Sequence, residues 1–106
     1  MKQETPSAPY ITSHESNASV TVTPQGDADK MTVHYVAPNG DAKEVIATKV
    51  GNQWTLNETP TGFSIDNTNG SVTVNYQGVQ NGSEVSAYDT SGNSDPSDEV
   101  RKNVPL

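Results

Sequence analysis

The sequence predicts an all-β domain, an antiparallel two-sheet sandwich, on three observations. Apolar residues recur at every second position, and no window shows the three-and-four spacing of an amphipathic helix. Turn signals rich in Asn and Gly separate these runs at intervals of about 8 to 12 residues. The apolar supply is small, 30% hydrophobic with one Trp and one Phe, so the core must be thin and drawn mostly from Val, Ile, Ala, Leu and Tyr.

The first strand is expected over residues 9–13, after the stiff lead Pro6-Ser7-Ala8-Pro9. Residues 18–23 follow, where Val20 and Val22 alternate with Thr21 and Thr23. Over 30–37, Met31, Val33 and Tyr35 alternate with Thr32 and His34. Pro38-Asn39-Gly40-Asp41 then turns the chain into a strand over 43–50, and Gly51-Asn52 turns it again into 53–57, where Trp54 and Leu56 flank Thr55. Phe63-Ser64-Ile65 predicts a short edge strand over 63–66. Beyond Asn69-Gly70, Val72, Val74 and Tyr76 alternate with Thr73 and Asn75 over 71–77. Asn81-Gly82 leads into 84–89, and Ser91-Gly92-Asn93 into the last strand, 98–103. Each run has one apolar and one polar face, as a half-buried antiparallel strand requires. Asn and Gly tolerate the positive φ of tight hairpins, which is why these pairs reverse the chain at little cost.

About seven to nine short strands in this rhythm point to an immunoglobulin-like or fibronectin-III-like sandwich. Lys43, Lys49 and Pro38 are expected to guard sheet edges against a neighbouring chain. Residues 1–8 read as a linker or the start of the chain, 9–103 as the domain, and 104–106 as a linker onward. Proline on both flanks stiffens each junction, so the domain reads as one bead on a string, with no internal repeat of its own.

Six basic residues against thirteen acidic ones give a net charge of -7, the wrong sign for neutralising nucleic acid phosphates or an anionic membrane surface. No run approaches the roughly 20 apolar residues of a membrane span. Met1-Lys2-Gln3-Glu4-Thr5-Pro6 lacks the apolar stretch of a signal peptide, so Met1 reads as the start of an excised segment or of a soluble intracellular protein. The absence of cysteine excludes disulfides, thiolate metal sites and thiol catalysis, and fits Gram-positive surface proteins.

The stretch from Asn81 to Ser97, with Val85-Ser86-Ala87-Tyr88-Asp89 followed by Gly92-Asn93-Ser94, resembles the last hairpin of bacterial immunoglobulin-like repeats. Ala8-Pro9-Tyr10-Ile11-Thr12 and Ala18-Ser19-Val20-Thr21-Val22-Thr23-Pro24 resemble the first two strands of the same repeats. With residues 47–56 and Phe63-Ser64-Ile65-Asp66 added, the chain is most similar to the repeats of giant staphylococcal extracellular-matrix-binding, cell-wall-associated proteins. The resemblance implies a repeated extracellular domain of a stalk or adhesive region and brings no catalytic residues. The Cys pair and intervening Trp of antibody domains are missing.

Candidate chemistry is sparse. His14, in an expected polar loop, and His34, on the polar face of a strand, have no partner that the sequence identifies, and no Walker, Rossmann or nucleophile-elbow signature occurs. Lys30 and Lys49 are the candidate donors for a self-formed amide, but both fit exposed strand positions. The metal candidate is the run Asp89, Ser91, Asn93 and Asp95, whose alternate residues offer the oxygen ligands calcium takes. An EF-hand loop has Gly where this chain has Ser94 and Glu where it has Val100. The competing reading is a polar turn held by Asx-type hydrogen bonds. Trp54 with Tyr10, Tyr35, Tyr76 and Tyr88 would stack sugars if they gathered on one exposed face; alternation instead assigns Trp54 to the core.

The expectation is therefore a non-catalytic, cofactor-free module, monomeric when isolated. It would be cell-wall-associated or secreted, with neighbouring repeats of its own chain as partners. One alternative is an adhesion module for a host matrix protein or glycan. Another is an accessory fibronectin-III-like domain of a secreted glycosidase.

Overall fold

A computed structural model describes residues 2–106 and places nine strands among them. They are β1 (Tyr10–His14), β2 (Ser19–Thr23), β3 (Lys30–Val36), β4 (Ala42–Val50), β5 (Gln53–Leu56), β6 (Phe63–Ile65), β7 (Val72–Asn75), β8 (Glu84–Thr90) and β9 (Val100–Asn103). Every pairing is antiparallel, in a four-stranded sheet of order β1-β2-β7-β6 and a five-stranded sheet of order β5-β4-β3-β8-β9. Lettered A, B, C, C′, C″, D, E, F, G along the chain, these are ABED and C″C′CFG, the strand order of the nine-strand variable-type immunoglobulin sandwich.

Period-two alternation fills the space between the sheets. The four-stranded sheet contributes Val20, Val22, Phe63, Val72 and Val74; the five-stranded sheet contributes Met31, Val33, Tyr35, Val45, Ala47, Trp54, Val85 and Ala87. The inward positions of β2 and β8, whose counterparts in antibody domains carry the inter-sheet disulfide, hold only valine, alanine and one aspartate here. Tyr35 and Phe63 join the two sheets through tilted rings with centroids 4.6 Å apart. Gly70 lets the β6–β7 turn close over the core: its φ is +79°, and a Cβ there would come within 2.7 Å of the Trp54 ring.

The outer face of the four-stranded sheet is polar. Thr12, Thr21, Thr73 and Ser64 stand in one register row across all four strands, and Thr21 and Thr73 hydroxyls are 3.1 Å apart.

Three expectations are corrected. Tyr76 is not a core residue. The Asn75 carboxamide accepts the Gln77 N–H and caps a 3-10 turn over Tyr76–Gly78, so β7 ends at Asn75 and the Tyr76 ring turns outward, 53% exposed. His14 closes β1 rather than lying in a loop; its Nε2 sits 3.2 Å from the Thr21 hydroxyl. Lys49 does not guard an edge, because it pairs with Trp54 inside the sheet; Lys43 lies on the part of β4 that extends beyond β5.

Candidate functional site at the two poles

The sandwich is elongated, 43 × 23 × 23 Å, and its polar chemistry gathers at the ends of the long strands. At the N-terminal pole lie the β2–β3 loop, the β4–β5 hairpin tip, the β8–β9 loop and the chain's leading residues. At the C-terminal pole lie the β1–β2 and β7–β8 connections and the last residues.

Asp89 is the hub of the first pole. The inward series Val85, Ala87, Asp89 on β8 carries it into the core line, where it has no exposed surface. Its Oδ2 accepts the Gln25 N–H (3.0 Å). Its backbone N–H donates to the Ser97 hydroxyl (2.8 Å), and its carbonyl accepts the Ser97 N–H (2.9 Å). Asp89 thus fastens the β2–β3 loop and the β8–β9 loop to one strand end. Its Oδ1 is buried with no hydrogen-bond partner. Burial pushes the carboxyl pKa up to about 7, against the smaller opposing pull of the Gln25 N–H.

The other three metal candidates face elsewhere. Ser91 is nearly buried and its hydroxyl donates to the Asp27 carbonyl (2.9 Å). Asn93 is exposed: its carboxamide oxygen accepts the Gln3 N–H (2.9 Å), and its own N–H donates to the Gln3 side chain (3.3 Å). Asp95 is exposed and pairs with Lys2 at 2.6 Å. Alternate positions that would converge in a wrapped loop diverge here, because β8 continues through Thr90 and the turn after it is drawn tight by Ser94. The Ser94 hydroxyl accepts the Ser91 N–H, and the Ser94 N–H donates to the Ser91 carbonyl. The Asp29 carboxylate closes the same turn by accepting the Gly92 N–H. Among the described residues no group of three or more His, Cys, Asp or Glu is placed to hold a metal ion. The arrangement clamps the leading segment onto the domain, with Lys2 and Gln3 lying across the 92–95 turn.

The second pole holds the chain as it leaves. Val104 is buried in the core cluster and its N–H donates to the Ser83 carbonyl (2.9 Å); the Asn103 carboxamide donates to the Gly82 carbonyl (2.9 Å). Ala18, Tyr76, Asn81, Pro105 and Leu106 line an open groove beside it. Ala18 has φ +49°, a left-handed conformation that costs an alanine about 1 kcal/mol over glycine. It is locked there by the Tyr76 N–H, which donates to the Ala18 carbonyl (2.9 Å).

The aromatic residues do not gather. Trp54 and Tyr35 are buried, Tyr10 stands on β1, Tyr76 at the C-terminal pole, and Tyr88 on β8, its ring 6.0 Å from that of His34. Lys30 and Lys49 are exposed. The sequence carried no sign of the Lys2 and Gln3 clamp, whose partners lie 93 and 90 residues away. Asp89 continues the inward alternation of β8, and its burial was not anticipated by the ligand reading.

No family model matches the chain. No curated protein and no solved structure gives a match to it either.

Proposed function

We propose that this domain is a non-catalytic spacer: one unit of an extracellular array in a bacterial surface protein, built to hold its neighbours at a fixed reach and orientation. The observation that carries the reading is that the chain is fastened at both poles of an elongated sandwich. Gln3 and Lys2 are bonded to the turn beyond the C-terminal end of β8, and Val104 is bonded and buried beside its N-terminal end. Seven residues of extended β8 separate the two attachments by about 20 Å. A connection that is hydrogen-bonded to its domain transmits orientation; a free one does not. The surface depressions are open grooves, and the aromatic residues that would stack a sugar are dispersed, which favours a spacer over a glycan binder.

The test is equilibrium binding of the domain to a panel of matrix proteins and glycans at physiological salt, with and without calcium. A spacer gives no saturable binding. Saturation near ~10 μM or tighter would make the domain an adhesion module instead.

A further inference from the structure

In an Asn-Gly pair the backbone nitrogen of the glycine can attack the asparagine carboxamide, because no Cβ crowds that nitrogen and the ring closes within one residue. The chain has three such pairs: Asn39-Gly40, Asn69-Gly70 and Asn81-Gly82. Attack needs the glycine N–H and the carboxamide both free to turn toward each other, and the fold treats the three pairs differently. At the β3–β4 turn the Gly40 N–H donates to the Ala37 carbonyl (2.8 Å). The Asn39 carboxamide there accepts the Asp41 N–H and donates to the Asp41 carboxylate, both at 3.1 Å. At the β6–β7 turn the Gly70 N–H donates to the Asp66 carbonyl (2.8 Å), the Asn69 carboxamide accepts the Ser71 N–H (3.0 Å), and Gly70 is buried. The β7–β8 connection closes instead through the Ser83 N–H, which donates to the Gln80 carbonyl (3.0 Å). Asn81 is exposed, and among the described residues no hydrogen bond engages its carboxamide or the Gly82 N–H.

We propose that Asn81-Gly82 is a self-modification site, at which the folded chain converts Asn81 to aspartate and isoaspartate with water as the only co-reactant. The Gly82 nitrogen bonds to Asn81 Cγ, the Cγ–Nδ2 bond breaks, and the Gly82 amide proton leaves with Nδ2 as ammonia. Water then opens the cyclic imide at one of its two carbonyls. Opening at Cγ restores the peptide and leaves aspartate; opening at the backbone carbonyl leaves isoaspartate, whose main chain runs through Cβ and Cγ. No electron changes hands. The site lies inside the clamp at the C-terminal pole, where the Gly82 carbonyl accepts the Asn103 carboxamide N–H and the Ser83 carbonyl accepts the Val104 N–H, both at 2.9 Å. Either product adds a negative charge there, and isoaspartate adds a main-chain atom ahead of both carbonyls. Conversion therefore loosens the exit segment as the molecule ages, whether or not the domain is a spacer.

The test is incubation of the intact folded chain in mildly alkaline buffer. Peptide mapping by mass spectrometry reads the exchange of the carboxamide NH2 for OH, and enzymatic methylation reads isoaspartate. Conversion at Asn81 should run about tenfold or more ahead of Asn39 and Asn69, whose hydrogen bonds must open first. In the urea-unfolded chain those bonds are gone, and the three rates should converge. Asn81→Gln changes only an exposed side chain and should abolish the early conversion while the domain stays folded. In the converted fraction the Val104 amide should exchange faster than in fresh protein, with Val22 unchanged. Equal rates at the three pairs in the folded chain would overturn the proposal. So would an Asn81 that stays intact in the folded chain yet converts in urea. Unchanged Val104 exchange after conversion would overturn the loosening of the exit.

Discussion

Asp89 makes the stability of this domain depend on pH in a direction opposite to that of an ordinary salt-bridged carboxylate. Its pKa rises from 3.8 in the unfolded chain to about 7 in the folded one, because a buried carboxyl with one unpartnered oxygen resists ionisation. Where the folded pKa is the higher one, the folded state binds the proton more tightly. The stabilising effect is complete below about pH 3.8, fades as pH rises, and is gone above about pH 7. At 1.36 kcal/mol per pKa unit, the loss between pH 5 and pH 8 is on the order of 3 kcal/mol. That is a large share of the 5 to 15 kcal/mol typical of a domain. Urea denaturation followed by Trp54 fluorescence reads it directly. With a slope of about 1 to 3 kcal/mol per molar, the midpoint should fall by roughly 1 to 3 M from pH 5 to pH 8. The decisive comparison is with Asp89→Asn, whose midpoint should vary far less with pH. An equal pH slope in wild type and Asp89→Asn would refute the argument, as would a wild type more stable at pH 8.

Gly70→Ala should destabilise the domain by about 2 kcal/mol or more, since it combines a positive φ with a Cβ driven into the Trp54 ring; thermal denaturation reads the loss. Val104→Ala should cost about 2 kcal/mol, because Val104 is buried in the core rather than part of a free linker, and the same melts check it. Lys2→Ala removes only an exposed ion pair and should change stability by less than about 1 kcal/mol, although it should loosen the leading segment in amide exchange. Ala18→Gly should stabilise the isolated domain by roughly 0.5 to 1 kcal/mol through release of left-handed strain.

The strands were legible because a side-chain period of two leaves a local record. Val20 and Val22, Met31, Val33 and Tyr35, and Val72 and Val74 all face inward as their alternation requires. The end of β7 was not legible in the same way. Tyr76 continues the apolar alternation, but the Asn75 side chain captures the Gln77 N–H and breaks the strand one residue earlier. Strand order was out of reach because it depends on pairings between distant segments, such as β2 with β7. Lys49 was assigned to an edge for the same reason. In the candidate site, Asp89, Ser91, Asn93 and Asp95 read as a ligand run when spaced as a loop. The alternation of Val85 and Ala87 continues to Asp89, and the structure buries its carboxyl there, which the ligand reading did not anticipate. The clamp formed by Lys2 and Gln3 has no local signature, since contacts across 90 or more residues are set by the closed sandwich alone.

A rigid spacer requires that its connections move with its core, and nitrogen relaxation of the backbone measures that directly. Gln3, Asn93 and Val104 should show order parameters near the ~0.85 of rigid backbone, equal to those of Val22 and Val85. Values below about 0.6 at Gln3 and Val104, with a rigid sandwich between them, would mean that the chain enters and leaves through free hinges. The domain would then be a flexible bead, and the fixed reach proposed for it would be wrong.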